Sequence, residues 1–347
     1  MAAGPAPVPW AWNRSCHRSV SEGIHDRTDS RRVSDLFKTR SARFAILETM
    51  TVDLSGAASF LAGHGRLLDR RRLELLLGET GPDAVLAAVD GYRNADGGYG
   101  WGLEPDLRAP ESQPGGALHA FEVFEDIAPA TTPRAIELCD WLDSVTLPDG
   151  GLPFALPVAD ASACAPFWVN AEHTVSTLQS TAFAAGAALR VAAHDPAVAA
   201  HPWLARASQY CFDALGALES APHAIALSFA IRFLDAAYER YPAAPPLLAR
   251  LAQFVPDTGL VPVQGGSEGE TMRALNFASV PGSPASALLR AGVMDAELDK
   301  LAAQQQDDGG WTVDFASSSP AAALEWRGYV TVGAVLTLKH AGRLQTS

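Results

Sequence analysis
The chain has 347 residues, 48% of them hydrophobic, which is enough to bury a sizeable core in one large or two smaller domains and excludes global disorder. Its 26 Lys and Arg against 39 Asp and Glu give a formal charge of −13, which repels nucleic-acid backbones and anionic membranes. Cys16, Cys139, Cys164 and Cys211 stand far apart without Cys-x-x-Cys pairing. This excludes a disulfide framework or a structural zinc site and predicts a reducing, cytoplasmic compartment.

In chain order, residues 1–49 carry Pro5, Pro7 and Pro9 and then scattered Arg and Ser, and they read as a disordered leader. The segment lacks the apolar centre of a secretory signal, and Asp26, Asp29 and Asp35 are unlike a transit peptide. Met50, where helical patterning begins, is an alternative start, and residues 50–347 are expected to form a single domain.

From there one phrase recurs: a helical segment, an Asp-x-Gly turn, an irregular polar loop and a second apolar helical segment. The turns are Asp96-Gly97-Gly98, Asp149-Gly150-Gly151, Asp257-Thr258-Gly259 and Asp308-Gly309-Gly310. They recur roughly every fifty residues, with a middle gap of two periods. The unit without a marker shows as helices near Trp203–Leu218 and Pro222–Tyr238, joined by a short turn at Glu219-Ser220-Ala221. Asp accepts backbone N–H bonds in such turns and Gly takes positive φ, so each marker predicts a helix C-terminus. Apolar residues at helical spacing, such as Val85, Ala88, Val89 and Tyr92, and the scarcity of strand signals predict an all-α protein of five to six helix hairpins. Their apolar faces must be buried against neighbours, in an open solenoid or a closed double ring. The Ala-rich run from Thr181 is broken by Arg190, so no segment supplies the roughly 20 apolar residues of a membrane-spanning helix and a soluble protein is expected.

The last marker reads Leu301-x-x-x-Gln305-x-x-x-Gly309-x-Trp311, with eroded copies at Leu142, Thr146, Gly150, Leu152 (preceded by Trp141) and at Val89, Arg93, Gly97, Tyr99. This frame resembles the Gln/Trp repeat of the squalene cyclase and prenyltransferase superfamily over most of residues 80–340. The resemblance implies an all-α α/α toroid: inner and outer helices around a largely apolar cavity, with the loops after the markers at one end. It further implies a terpenoid cyclase-like or prenyltransferase-like activity on an isoprenoid or other small apolar substrate, with Mg2+ where that substrate is a diphosphate.

Class II members of that superfamily protonate their substrate with the central Asp of an Asp-x-Asp-Asp-Thr motif. Asn170-Ala171-Glu172-His173-Thr174 occupies the corresponding loop, which places Glu172 at the acid and Asn170 and His173 at its partners, a departure from the family pattern. Read without the resemblance, Glu172 opens a helix whose dipole favours a negative first turn.

The loop Trp101–Pro114 holds Glu104, Asp106, Arg108 and Glu111, and prolines within it fix its path. These side chains can bind a cation, orient a diphosphate through Arg108, or neutralise one another at the surface. Corresponding loops offer Glu268, Glu270, Arg273 and Asn276, then Glu325, Trp326, Arg327 and Tyr329. Trp101, Phe167, Trp168, Trp326 and Tyr329 are candidates to line a pocket that stabilises cations, or to be core. His173 and His223 with Asp106 make a conceivable metal set, or helix caps.

Glu172, His173 and Asp106 are thus the catalytic candidates. Trp101, Glu104, Arg108, Glu111, Trp168, Asn170, Glu270, Arg273, Glu325, Trp326, Arg327 and Tyr329 are the substrate-binding candidates, and no metal ligand is assigned. Two other classes compete: a carbohydrate-active helical barrel with Glu172 and Asp106 as paired carboxylates, and a non-catalytic ring that binds a ligand or protein. The oligomeric state is left open.

Overall fold
The computed structural model describes residues 52–344, so the expectations for a leader at 1–49 and a start at Met50 lie outside the described residues, as does Cys16. The described residues form fourteen α-helices and two short antiparallel strand pairs. In chain order the helices are α1 (Leu54–His64), α2 (Leu67–Leu76), α3 (Pro82–Val89), α4 (Pro114–Asp126), α5 (Pro133–Val145), α6 (Pro166–Val169) and α7 (Leu178–Ala192). There follow α8 (Pro196–Ala200), α9 (Pro202–Gly216), α10 (Ala224–Ala237), α11 (Ala244–Ala252), α12 (Ala274–Phe277), α13 (Val293–Ala303) and α14 (Pro320–His340). The pair β1 (Leu152–Pro153) and β2 (Ser176–Thr177) closes the loop before α7, and β3 (Val261–Pro262) with β4 (Thr271–Met272) closes the loop before α12.

Helix starts follow local chemistry. Proline stands at the first turn of α3, α4, α5, α9 and α14, where its missing N–H costs nothing. Asp53, Thr177 and Ser319 cap α1, α7 and α14 through side-chain oxygens. The unmarked unit is present as α9 and α10, within a few residues of their expected bounds.

One series of helices packs successively: α2 on α4, α4 on α7, α7 on α10, and α10 on α12. Next α13 touches both α12 and α14, and α14 packs on α2 and α1. The chain's last helices thus return to its first described ones. The Ala-rich sequence of α7 reflects close packing: a Cβ on Gly186 would lie 3.1 Å from the Cα of Phe233 in α10. A second core joins both ends of the described chain, with Phe60, Leu61 and Leu73 against Leu298, Trp311, Val332, Val335 and Leu338.

The markers act differently from the sequence expectation. The preceding helices end at Val145 and Ala303, several residues before the glycines, and a 3-10 turn at Asp90–Tyr92 intervenes before Gly97. Each Asp-Gly-Gly is a tight turn of its own, and it serves as a joint to the next unit. The aspartate Oδ1 accepts the second glycine's N–H at 2.9, 3.1 and 3.1 Å in the copies at Asp96, Asp149 and Asp308. The first glycines share φ values of 90°, 89° and 88°. Each lies against the backbone of a neighbouring helix: Gly97 at Glu137 of α5, Gly150 at Arg206 of α9, and Gly309 at Gly56 of α1. The second glycines meet Trp141, Tyr210 and Phe60 on the same three helices.

The residue four places ahead of the first glycine completes each joint. Arg93 pairs with Glu137, Thr146 accepts the indole N–H of Trp203, and Gln305 spans the return to α1. Gln305 Oε1 accepts the Asp53 N–H at 2.8 Å, while its Nε2 donates to the Asp53 carbonyl at 2.8 Å and the Gly309 carbonyl at 2.9 Å. Trp311, the motif's other hallmark, is buried with its indole N–H on the Leu301 carbonyl at 2.7 Å. The last contact therefore repeats the contacts within the chain. No helix among the described residues is long and apolar enough to cross a membrane.

Candidate functional site
The first marker's loop turns inward rather than forming a solvated rim. Buried Leu103 and Leu107 anchor it, and they carry Glu104 and Asp106 down to 8% and 4% exposure. Asp106 is fully engaged: Oδ1 accepts from Ser317 Oγ, Ser318 N and Ser318 Oγ at 3.0, 2.8 and 2.6 Å, and Oδ2 from Trp326 Nε1 at 2.8 Å. It clasps this loop to the one before α14. Arg108 pairs with Glu325 across the same junction, and Glu111 Oε1 accepts the Ala159 N–H at 3.0 Å. Of the three alternatives for this loop, mutual neutralisation at the surface does not hold for Glu104 and Asp106, which the two apolar anchors bury.

Beneath the loop lies α4, whose opening Pro-Gly-Gly-Ala lets backbone approach backbone. A Cβ on Gly116 would come within 2.4 Å of the Tyr99 carbonyl oxygen, and one on Gly115 would press on Trp168 and Glu104. This close fit brings His119, one turn further along, to Glu104: its Nε2 lies 3.2 Å from Glu104 Oε2 and its Nδ1 3.1 Å from Glu122 Oε2. Tyr329 of α14 donates its phenol proton to Glu122 Oε1 at 2.8 Å. The result is a continuous chain Glu104–His119–Glu122–Tyr329. The imidazole meets the rings of Trp326 and Tyr329 edge-on, at centroid distances of 5.9 and 5.0 Å. Arg72 of α2 lies 5.9 Å from the Tyr329 ring and donates to Asp126 at 2.6 Å.

Burial alone would depress the His119 pKa, but the hydrogen bonds and charges of Glu104 and Glu122 outweigh it and raise it to about 9. Burial opposes ionisation of Glu122 as well, yet His119, Arg72 and Arg232 hold its pKa down to about 2. At neutral pH the imidazole is therefore a cation, and both ring N–H groups donate to carboxylates. Burial and the adjacent Glu122 charge push the Tyr329 phenol well above its ordinary value, so it stays protonated.

Two more arginines face this group from neighbouring helices. Arg190 of α7 pairs with Glu125 at 2.7 Å. Arg232 of α10 lies over the Phe229 ring at 5.8 Å from its centroid. Both are half-buried, and burial disfavours their charged forms. The slot between α4, α7 and α10, lined by Leu118, Ala182, Phe183, Gly186, Phe229, Phe233 and by Arg190 and Arg232 themselves, has no room for a water-sized molecule. Arg190 and Arg232 are nevertheless partly exposed, so their accessible surface lies outside this slot.

Of the residues picked from sequence, Glu104, Asp106, Arg108, Glu325, Trp326 and Tyr329 come together here. Others lie apart. Glu172, His173 and Asn170 are exposed. The Glu172 carboxylate accepts Thr174 Oγ1 at 2.6 Å and Thr174 N at 3.0 Å, bonds that hold its pKa below the ordinary value. An exposed carboxylate with a lowered pKa is not held neutral for proton donation, and it does not face Asp106 across a buried site. Trp168 is buried and stacked on Phe154 at 4.5 Å, whereas Trp101 is exposed, with φ at 56° and its indole N–H on Asn94 Oδ1 at 2.8 Å. Glu270 accepts the Ser267 N–H, Arg273 forks onto Glu297, and Arg327 donates to Asp308 and the Trp311 carbonyl while covering Phe60 at 4.4 Å. His223 caps α10 and meets the Gln264 carbonyl. The conceived set of His173, His223 and Asp106 is not assembled. Among the described residues no three His, Cys, Asp or Glu side chains converge as a metal site.

The sequence reading missed His119, Glu122, Arg72 and Arg232. For His119, Glu122 and Arg232 the signal was a charged or titratable residue inside an otherwise apolar stretch, as in Ala117-Leu118-His119-Ala120-Phe121-Glu122 and Phe229-Ala230-Ile231-Arg232-Phe233, whereas Arg72 stands in the charged run Asp69-Arg70-Arg71-Arg72 and carried none.

Compared with known proteins, the sequence matches no family model and no curated protein.

Proposed function
We propose that residues 52–344 form a closed α/α toroid whose centre binds a small polar molecule and handles protons on it through His119. The single observation that carries this reading is the buried chain Glu104–His119–Glu122–Tyr329, in which a cationic imidazole sits between two carboxylates and is linked through one of them to a phenol. Closure is supported by the Gln305 joint, which binds the last unit to α1 in the way that Arg93 and Thr146 bind successive units.

Energetics favour a functional over a purely structural origin. Burying an ion costs several kcal/mol even when it is paired, and apolar replacement of a buried ion pair is often neutral or stabilising by about 1–4 kcal/mol. A fold needing only a packed centre gains nothing from placing Arg72, His119, Glu122 and Asp126 there. Clusters of this kind, with strongly shifted titration, concentrate at sites of chemistry.

The charge at the centre favours a polar ligand over a hydrocarbon. The isoprenoid reading keeps its support in the repeat resemblance and in aromatic rings such as Trp326, Phe183 and Phe229. A thermal-shift panel separates the two, with sugar acids, phosphorylated sugars, farnesyl diphosphate, farnesol and squalene as ligands. The proposal expects stabilisation by polar anionic compounds, and any turnover found with them to be abolished in H119Q. Stabilisation by farnesol or squalene, with none by the polar compounds, overturns it.

A further inference from the structure
We infer that Arg232, flanked by Arg190, is an oxyanion-binding site that anchors a carboxylate or phosphate group of the ligand at the centre. This inference rests on the reading of that centre as a ligand site and names the ligand's chemical class.

Among the described residues every other arginine pairs with a carboxylate or donates to a backbone carbonyl: Arg66 with Asp69, Arg72 with Asp126, Arg190 with Glu125, and Arg240 and Arg250 with carbonyls. Arg232 has neither an ion pair nor a hydrogen bond; its one contact of note is the face of Phe229. Glu122 and Glu125 attract it without coming within ion-pair distance, while the Arg190 charge repels it. A half-buried guanidinium, repelled by a second guanidinium and without a protein acceptor, is an arrangement that an anion between them relieves.

The geometry is that of a prepared site. Arg232 is carried by the middle of α10, where Leu227, Ile231, Phe233 and Leu234 are buried and Phe229, Arg232 and Ala236 share a partly accessible face. Phe229 is fixed edge-on by Phe183 at 5.4 Å. A guanidinium lying over an aromatic ring keeps its edge N–H donors free, and two such donors match the two oxygens of a carboxylate or phosphate. Besides Arg190, the groups within electrostatic reach of Arg232 are Glu122, Tyr329 and Glu125. A ligand held there by its oxyanion therefore presents its neighbouring atoms to the phenol end of the His119 chain.

The test is isothermal titration of the full chain with inorganic phosphate and, separately, malonate, using the wild type, R232M, R232K and H119Q. The two titrants distinguish phosphate from carboxylate recognition. The expected result is binding of at least one of them, weakened by about tenfold or more in R232M and less in R232K, which keeps the charge but not the fork. The melting temperature of R232M in anion-free buffer separates a binding role from a structural one. Removing an uncompensated charge is expected to raise it by roughly 2 °C or more. Unchanged anion affinity in R232M, no binding of either titrant by the wild type, or a lowered melting temperature in both Arg232 variants overturns the anion site. Anion binding that persists in H119Q supports it. If turnover depends on His119 while R232M binds both anions normally, the anion site fails and the acid–base reading stands.

Discussion

Replacing His119 by Gln tests the charge state at the centre, and the structure sets the size of the effect. In the unfolded chain the imidazole titrates near its ordinary value of 6.5, whereas in the fold it titrates near 9. The native state therefore holds the proton more tightly. At ~1.4 kcal/mol per pKa unit this linkage is worth about 3 kcal/mol, present in full below about pH 6.5 and lost as the pH rises through about 9. The depressed Glu122 pKa is the same contact seen from the carboxylate, so it is not added; on its own it gives stability above about pH 4.5 that is lost as the pH falls towards about 2. Urea unfolding at pH 6 and pH 9.5 reads the difference directly. The wild type is expected to lose on the order of 3 kcal/mol over that interval. H119Q is expected to be about 3–5 kcal/mol less stable at pH 6, because two carboxylates lose their buried cation, and to lack most of the pH slope. A wild-type stability that is flat over this range, or a slope unchanged in H119Q, refutes the buried imidazolium.

Three further outcomes follow from particular contacts. Gln305→Ala removes three hydrogen bonds at the return to α1. It should cost about 1–3 kcal/mol and accelerate amide exchange in α1 and α14 before α7, as measured by mass spectrometry. Asp106→Ala strips the acceptor from Ser317, Ser318 and Trp326. A loss of about 2–4 kcal/mol is expected, with faster proteolysis at residues 101–113 as the checkable sign. Glu172→Gln alters an exposed side chain bonded only to its near neighbour Thr174. Its stability should stay within about 0.5 kcal/mol of wild type, and any turnover found should be unchanged in a steady-state assay.

The helix hairpins were legible because glycines and prolines punctuate them and because apolar spacing is local information. Gln305 and Trp311 were visible as a motif, but their roles were not: Gln305 serves a helix cap 252 positions away in sequence, which no local pattern reveals. The glycines were misplaced by a few residues for a related reason. Positive φ predicts a glycine equally well at a helix end and in a separate turn pressed against another helix, and only the tertiary contact distinguishes the two. At the site, assigning polar residues to loops found Glu104, Asp106, Arg108 and Tyr329, but it put Tyr329 in a loop where the structure has α14, and it left the acids open between a site and the surface, since the burying effect of Leu103 and Leu107 depends on what covers them. His119 and Arg232 escaped because a single polar residue within an amphipathic helix barely disturbs the pattern. The distant partner of His119, Glu104, lies in the preceding loop, and Arg232 has no hydrogen-bond or ion-pair partner among the described residues.

The central claim, that the charged centre receives a small anion, is tested most directly by soaking crystals in selenate and recording anomalous differences at the selenium edge. The account predicts a selenium peak between the guanidinium groups of Arg232 and Arg190, on the side facing Tyr329. An empty map at that point, with Arg232 instead paired to a carboxylate of the protein, contradicts it.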